Sequence, residues 1–138
     1  MPPEDLPRAE FGFPGPLRDL LLRAIHEGRK TTTTALFTEF EAADEPLPKP
    51  GSREVLIDSA GLPVGVIEIV EVRRLRLAEV DLAHAIAEGE GHRSVHDWRV
   101  DHERFWHSHE FRDSLGDPDF AVDDDTLVVT QRFRLISR

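Results

Sequence analysis

Leu17, Leu20, Leu21, Ala24 and Ile25 recur at helical spacing, with Arg18, Asp19 and Arg23 opposite them. This periodicity predicts a helix over about 16–27. Gly28 ends it, since glycine readily takes the left-handed conformation found at helix C-termini. The next stretch is ambiguous: Thr31–Thr34 favours a strand or turn, while residues 35–41 fit a short helix. Alternation then takes over. Val55 and Ile57 share a face over 53–58, Ser59-Ala60-Gly61 turns the chain, and 63–74 alternates again. In that second run Val64, Val66, Glu68, Val70 and Val72 fall on one side, and Gly65, Ile67, Ile69 and Glu71 on the other. Two such strands across a short glycine turn predict a hairpin. Val80, Leu82, Ala83 and Ile86 predict a short helix that stops at Gly89. Ser94 is a good N-cap for a helix over about 95–113, with Val95, Trp98, His102, Phe105 and His109 on one stripe. Residues 127–136 alternate as a final strand.

Residues 1–13 carry three prolines and little periodicity. They read as an N-terminal arm, ordered only if Phe11 and Phe13 dock on the core. Pro14-Gly15-Pro16 separates this arm from a single domain over 14–138. Residues 42–52 and 116–125 are acidic loops. The expected class is α+β, with strands spread along the whole chain. Such strands pair over long range, which fits a small curled sheet or β-barrel with peripheral helices better than a layered parallel sheet.

Composition narrows the function. The chain has 138 residues, 17 Lys+Arg against 27 Asp+Glu, and a net charge of −10. A protein that tracks long nucleic acid needs a broad basic face, so DNA is not an expected partner. The charge leaves room for a nucleoside or a short RNA element held in a pocket. With no cysteine, disulfides and thiol catalysis are excluded. The start of the chain lacks a signal-peptide pattern, and no apolar run approaches the roughly 20 residues that span a bilayer. A cytoplasmic protein with no membrane contact is expected.

Two stretches could carry chemistry. Gly28-Arg29-Lys30-Thr31-Thr32-Thr33-Thr34 places a lysine and four hydroxyls between a helix and a strand. Such groups can hold an anion or activate a nucleophile if a turn brings them together, although a plain strand entry explains the same run. Glu88-Gly89-Glu90-Gly91-His92 sets two carboxylates among glycines, which allow a close backbone approach; a helix stop and solvated turn is the plain alternative. Five of the seven histidines lie at 92, 96, 102, 107 and 109, without the spacing of a zinc site, so neither a metal nor a cofactor is expected. Trp98 and Phe105 are core residues by default and stacking platforms for a base second.

Taken in order, these pieces resemble the ASCH-domain family, a relative of the PUA-like β-barrels, over roughly residues 11–136. Gly28-x-Lys30-x-x-Thr33 matches the family's GxKxxT. The Glu88-Gly89-Glu90-Gly91 turn, followed by Trp98, His102 and Phe105, matches its acidic turn and helix. The resemblance implies a small PUA-like mixed or antiparallel barrel, with a cleft between barrel and helices. It implies RNA binding, ribonuclease activity, or an amidohydrolase that deacetylates acetylcytidine. Carried over from the amidohydrolase branch, the catalytic residues are Lys30, Thr33 and Glu90; Arg29, Glu88, Trp98, His102 and Phe105 are the candidate ligand contacts. The chain departs from the pattern at His92, where an aspartate is usual, and at Gln131, where a glutamate is common.

Two divisions of labour follow for amide hydrolysis. Lys30 is desolvated and acts as base toward Thr33, the version the resemblance favours. Alternatively, charged Lys30 stabilises the oxyanion while Glu90 shuttles protons. Either requires a turn or kink at 29–32, because residues 30 and 33 of a straight strand point to opposite faces. The competing classes are a non-catalytic RNA or nucleotide-binding module and a ribonuclease.

Overall fold

The computed structural model describes residues 5–137. Its strands are β1 (Arg8–Ala9), β2 (Thr32–Leu36), β3 (Arg53–Ile57), β4 (Pro63–Arg76) and β5 (Leu127–Ser137). They form one sheet in the order β1-β3-β4-β5-β2. β1 runs parallel to β3, and the remaining neighbours are antiparallel. Ala9 of β1 and Thr33, Thr34 and Ala35 of β2 border the same cavity. The two edges of the sheet therefore curl toward each other.

Helix α1 (Pro16–His26) packs Leu22 and Ile25 against Leu56, Ile67, Ile69 and Phe133. A second core lies across the sheet. There α3 (Leu82–Ala87), α4 (Val95–Trp106) and α5 (His109–Leu115) bring Ala85, Trp98, Trp106 and Phe111 onto Leu36 and Val128. Leu36 and Val128 are register partners, so their side chains share a face. The short α2 (Phe37–Ala42) follows β2 directly. Among the described residues no helix is long and apolar enough to cross a membrane.

Three expectations change. The alternation of β4 does not run through: its register shifts between Ile69 and Glu71. Val70 is left exposed, and Val72 packs with Ile67 and Ile69 instead. The helix expected over 95–113 is two helices. His107 Nε2 accepts from Val122 N–H, and Ser108 caps α5 by accepting from Phe111 N–H. The break turns His109 away from the stripe, leaving its side chain 92% exposed. The arm is docked where it is described: Phe11 lies 5.9 Å from Phe133 and Phe13 lies 5.7 Å from Phe105, between ring centroids. Residues 1–4 of the arm lie outside the described residues.

The second cap is a local feature that sequence periodicity conceals. Ser108→Ala should cost about 1 kcal/mol. The check is a lower urea midpoint with an unchanged denaturant slope.

Candidate functional site

The site begins where α1 stops. Gly28 takes a φ of 81°, and the N–H groups of Arg29 and Lys30 both donate to Ala24 O, at 2.9 and 3.1 Å. The chain therefore wraps around the helix end, and β2 begins only at Thr32. This meets the condition for residues 30 and 33 to share a site. Lys30 and Thr33 border one cavity of about 840 Å³ between the curled sheet, α1 and α4.

The acidic turn is pressed onto this segment. Asp81 caps α3 by accepting from His84 N–H, and the helix runs out at Glu88. Gly89 follows with a φ of 74°. A Cβ there would lie 2.4 Å from Arg29 O and 2.7 Å from Lys30 N, closer than any side chain allows. Thr31 N–H donates to Ala87 O, and Thr32 Oγ1 donates to His84 O. Glu88, Glu90 and Lys30 are thus held together by backbone packing as well as by charge.

Glu88 is the centre of the cluster. Its side chain is 1% exposed. Oε2 accepts from Thr34 Oγ1 at 2.7 Å, Trp98 Nε1 at 2.9 Å and His84 Nε2 at 3.0 Å. Oε1 accepts from His102 Nε2 at 3.1 Å and lies 3.6 Å from Lys30 Nζ. Burial opposes the Glu88 charge, but Lys30 and the hydrogen bonds from His102 and His84 outweigh it. The carboxyl is held well below the usual carboxylate range. An anion with so many donors is an anchor rather than a free base.

His102 is set up as a cation. Nδ1 faces Trp98 O at 2.9 Å and Nε2 faces Glu88. Both positions are acceptors, so both ring nitrogens match when protonated. The ring also stacks on Trp98 at 4.2 Å, where a cation gains from the indole face. Burial favours the neutral ring, yet the Glu88 hydrogen bond and charge raise His102 above the ordinary histidine value. Lys30 Nζ donates to Thr32 O at 2.9 Å and lies 3.7 Å from Glu90 Oε2. Glu90 is 26% exposed. Burial pushes its carboxyl up and the Glu88 charge adds to that, against the pull of Lys30.

The structure sorts the candidates. Lys30, Thr33, Glu88, Glu90, His102 and Phe105 all border the cavity. Arg29 and Trp98 do not. The Arg29 guanidinium turns outward to Glu27 and Gly89 O. Trp98 is fully buried and spends its indole N–H on Glu88, so no face is open to stack a base. The sequence reasoning missed Thr34 and His84. Thr34 lies in β2 as a strand residue, and its Oγ1 also bonds both Glu88 and His84 Nε2. The signal for His84 was its spacing of four from Glu88 on a helix, which places both on one face. His92 pairs with Asp101 through Nε2 at 2.7 Å, and its Nδ1 is buried without a partner among the described residues.

Glu88, Glu90 and His102 each offer a ligand atom, all within 4.8 Å of one another. The Lys30 ammonium already serves as the cation against both carboxylates. Both oxygens of Glu88 already accept from other side chains, which does not fit a metal cage.

A curled mixed sheet with helices at its ends, enclosing a lysine–carboxylate pocket, defines a PUA-like domain. The ASCH-domain family model matches residues 8–137, and the chain belongs to that family. Two solved structures are similar. Protein EF3133 of Enterococcus faecalis is 26% identical with a TM-score of 0.78, over 93% of this chain and 74% of that one. An ASCH domain from Lactobacillus crispatus is 25% identical with a TM-score of 0.73, over 88% and 73%. No curated protein matches the chain.

Two outcomes test the cluster. Gly89→Ala forces a backbone clash at a left-handed position and should cost more than the roughly 1 kcal/mol of an ordinary helix-cap change, measured by urea unfolding. Glu88→Gln leaves His102 without its counter-ion and Lys30 with Glu90 alone, and should cost about 3–5 kcal/mol at pH 7. A depressed folded-state pKa contributes stability above the unfolded value, about 4.3, that is lost as pH falls through the folded value. The gap between wild type and Glu88→Gln should therefore shrink below about pH 4.3 in parallel unfolding curves.

Proposed function

We propose that this ASCH domain is an amidohydrolase for a small, neutral, nucleoside-like amide such as an acylated cytidine. The observation that carries this reading is the Lys30–Glu90 pair, 3.7 Å apart on the cavity wall, beside a Glu88 whose bonding capacity is already filled. Glu90 is the carboxyl with access to a ligand, and its raised pKa brings it nearer the range where a carboxylate exchanges protons at neutral pH. Every group within reach of Lys30 Nζ is an acceptor or a carboxylate. This favours the charged-lysine assignment over the desolvated-base assignment.

In this mechanism water attacks the amide carbon and gives its proton to the Glu90 carboxylate. The Lys30 ammonium faces the oxyanion. Glu90 then returns the proton to the leaving nitrogen as the C–N bond breaks, giving a carboxylic acid and an amine. Thr33 borders the same cavity and offers a hydroxyl to orient the water or the carbonyl. The lining supports a small neutral substrate. Glu10, Glu39, Glu54, Glu88, Glu90 and Asp101 border the cavity against Arg18, Lys30, His102 and Arg104, a balance that disfavours a phosphate chain. A ribonuclease and an RNA-binding module are the competing outcomes.

The test incubates wild type, Lys30→Ala and Glu90→Gln with acetylcytidine and with single-stranded RNA, followed by mass spectrometry. Acetate release is expected from wild type, falling about 10²–10⁴-fold in each variant. RNA fragments that depend on Lys30 would replace the reading with a nuclease. Salt-sensitive RNA binding without product would replace it with a binding module.

A further inference from the structure

The carboxyls around the cavity are accounted for, with one exception. Glu10 lies 3.7 Å from Arg18 and Glu39 accepts from Leu36 N–H. Asp101 meets His92 and Arg104. Glu88 and Glu90 belong to the lysine cluster. Glu54 borders the same cavity, but no hydrogen bond or ion pair reaches its carboxyl among the described residues.

The register fixes where Glu54 sits. It is opposite Ile67 on β4, and Ile67 is opposite Leu135 on β5. With a two-residue period along β5, Phe133 and Gln131 share that face, and Gln131 is opposite Thr33 on β2. Glu54, Ile67, Gln131, Phe133 and Thr33 therefore line one concave wall, and each borders the cavity. Three strand spacings and a four-residue offset along β5 separate Glu54 from Thr33, about 20 Å over the sheet surface and less across its curl. A ligand that reaches both is longer than a bare acyl amide. Between them the wall offers Ile67 and Phe133, a surface for a flat ring.

A carboxyl in this position carries a desolvation cost with nothing to offset it. Burial, with a further push from Glu45, raises its pKa. Two hydroxyls on adjacent carbons supply what is missing, because a carboxyl group presents two acceptor oxygens and a vicinal diol presents two donors. Acidic side chains hold ribose hydroxyls in the same way in dinucleotide-binding folds.

We propose that Glu54 binds the sugar hydroxyls at the end of the substrate remote from the scissile amide, making the site selective for a nucleoside over a ligand lacking the diol. This rests on the amidohydrolase reading above for the identity of the reacting end. Glu54 is then a specificity residue and takes no part in the chemistry.

The test measures binding of cytidine and 2′,3′-dideoxycytidine by calorimetry, and turnover of their N4-acetyl forms, for wild type and Glu54→Ala. Wild type should prefer the diol about tenfold or more, the worth of charge-assisted hydrogen bonds. Glu54→Ala should treat both compounds alike. If Glu54→Ala melts well below wild type, Glu54→Gln supplies the comparison, and a preference reduced in that variant counts the same way. A wild type without preference, a wild type that binds neither compound, or a variant that keeps the full preference overturns the proposal. Turnover with a preference that ignores Glu54 removes this inference and leaves the hydrolase. Glu54-dependent cytidine binding without acetate release removes the hydrolase and leaves this inference.

Discussion

A buried negative charge sets the terms for this domain. Glu88 lies beneath the helices at 1% exposure, where an uncompensated carboxylate is untenable. Compensation draws on four separate pieces of chain: Lys30 from the α1 exit, Thr34 from β2, His84 from α3, and Trp98 and His102 from α4. Ionising Glu88 therefore ties the edge strand to the helical layer. Lys30, held this way by Glu88, is also the cation that reaches Glu90. One electrostatic requirement organises both the fold and the candidate chemistry.

Two carboxylates only two residues apart are given opposite characters. Glu88 is pulled well below the ordinary range and Glu90 is pushed above it. Like charges this close disfavour double ionisation, so fixing the proton-free state on Glu88 raises the cost of charging Glu90. Pairs of acids driven apart by their surroundings are the usual source of acid–base division in hydrolytic sites. Gly89 makes the pair possible. Its left-handed turn lets the backbone lie on Arg29 and Lys30, and the two flanking carboxylates approach one ammonium from different directions.

Much of the fold was legible because it depends on period. The 3.6-residue pattern over 17–25 and the two-residue patterns of β3, β4 and β5 follow from which faces are buried. What escaped detection rested on single residues. The break after Trp106 coincides with Ser108 capping the next helix and His107 accepting from the distant backbone N–H of Val122, which hydrophobic spacing does not register. The Val70 irregularity is a matter of pairing register rather than composition. The site was legible in part through resemblance, which pointed to Lys30, Thr33 and Glu90, three residues that the fold gathers on one cavity. The anchors Thr34 and His84 were not recognised, because a hydroxyl in a threonine run and a histidine on a short helix acquire meaning only when the chain brings Glu88 between them. Trp98 keeps its default reading as core, and its second reading as a stacking platform falls for the converse reason. An aromatic near an acidic turn resembles a platform until its indole N–H is seen to be committed.

The two departures from the resembled pattern bear on what the cavity accepts. Gln131 borders the cavity, opposite Thr33, at a place where a glutamate is common. His92 takes the place of an aspartate and pairs with Asp101, which itself borders the cavity. At position 131 the exchange puts a neutral amide on the cavity wall where a carboxylate is common. On the proposed reading, an amide next to Thr33 meets a neutral side chain that can both donate and accept. The remaining carboxyls still outnumber the cations, so a polyphosphate gains little there, while a neutral ring bearing hydroxyls avoids the repulsion. The chain's net charge of −10 is mirrored in the cavity lining, where carboxyls outnumber cations, and this supports the small neutral substrate proposed above over a phosphate backbone.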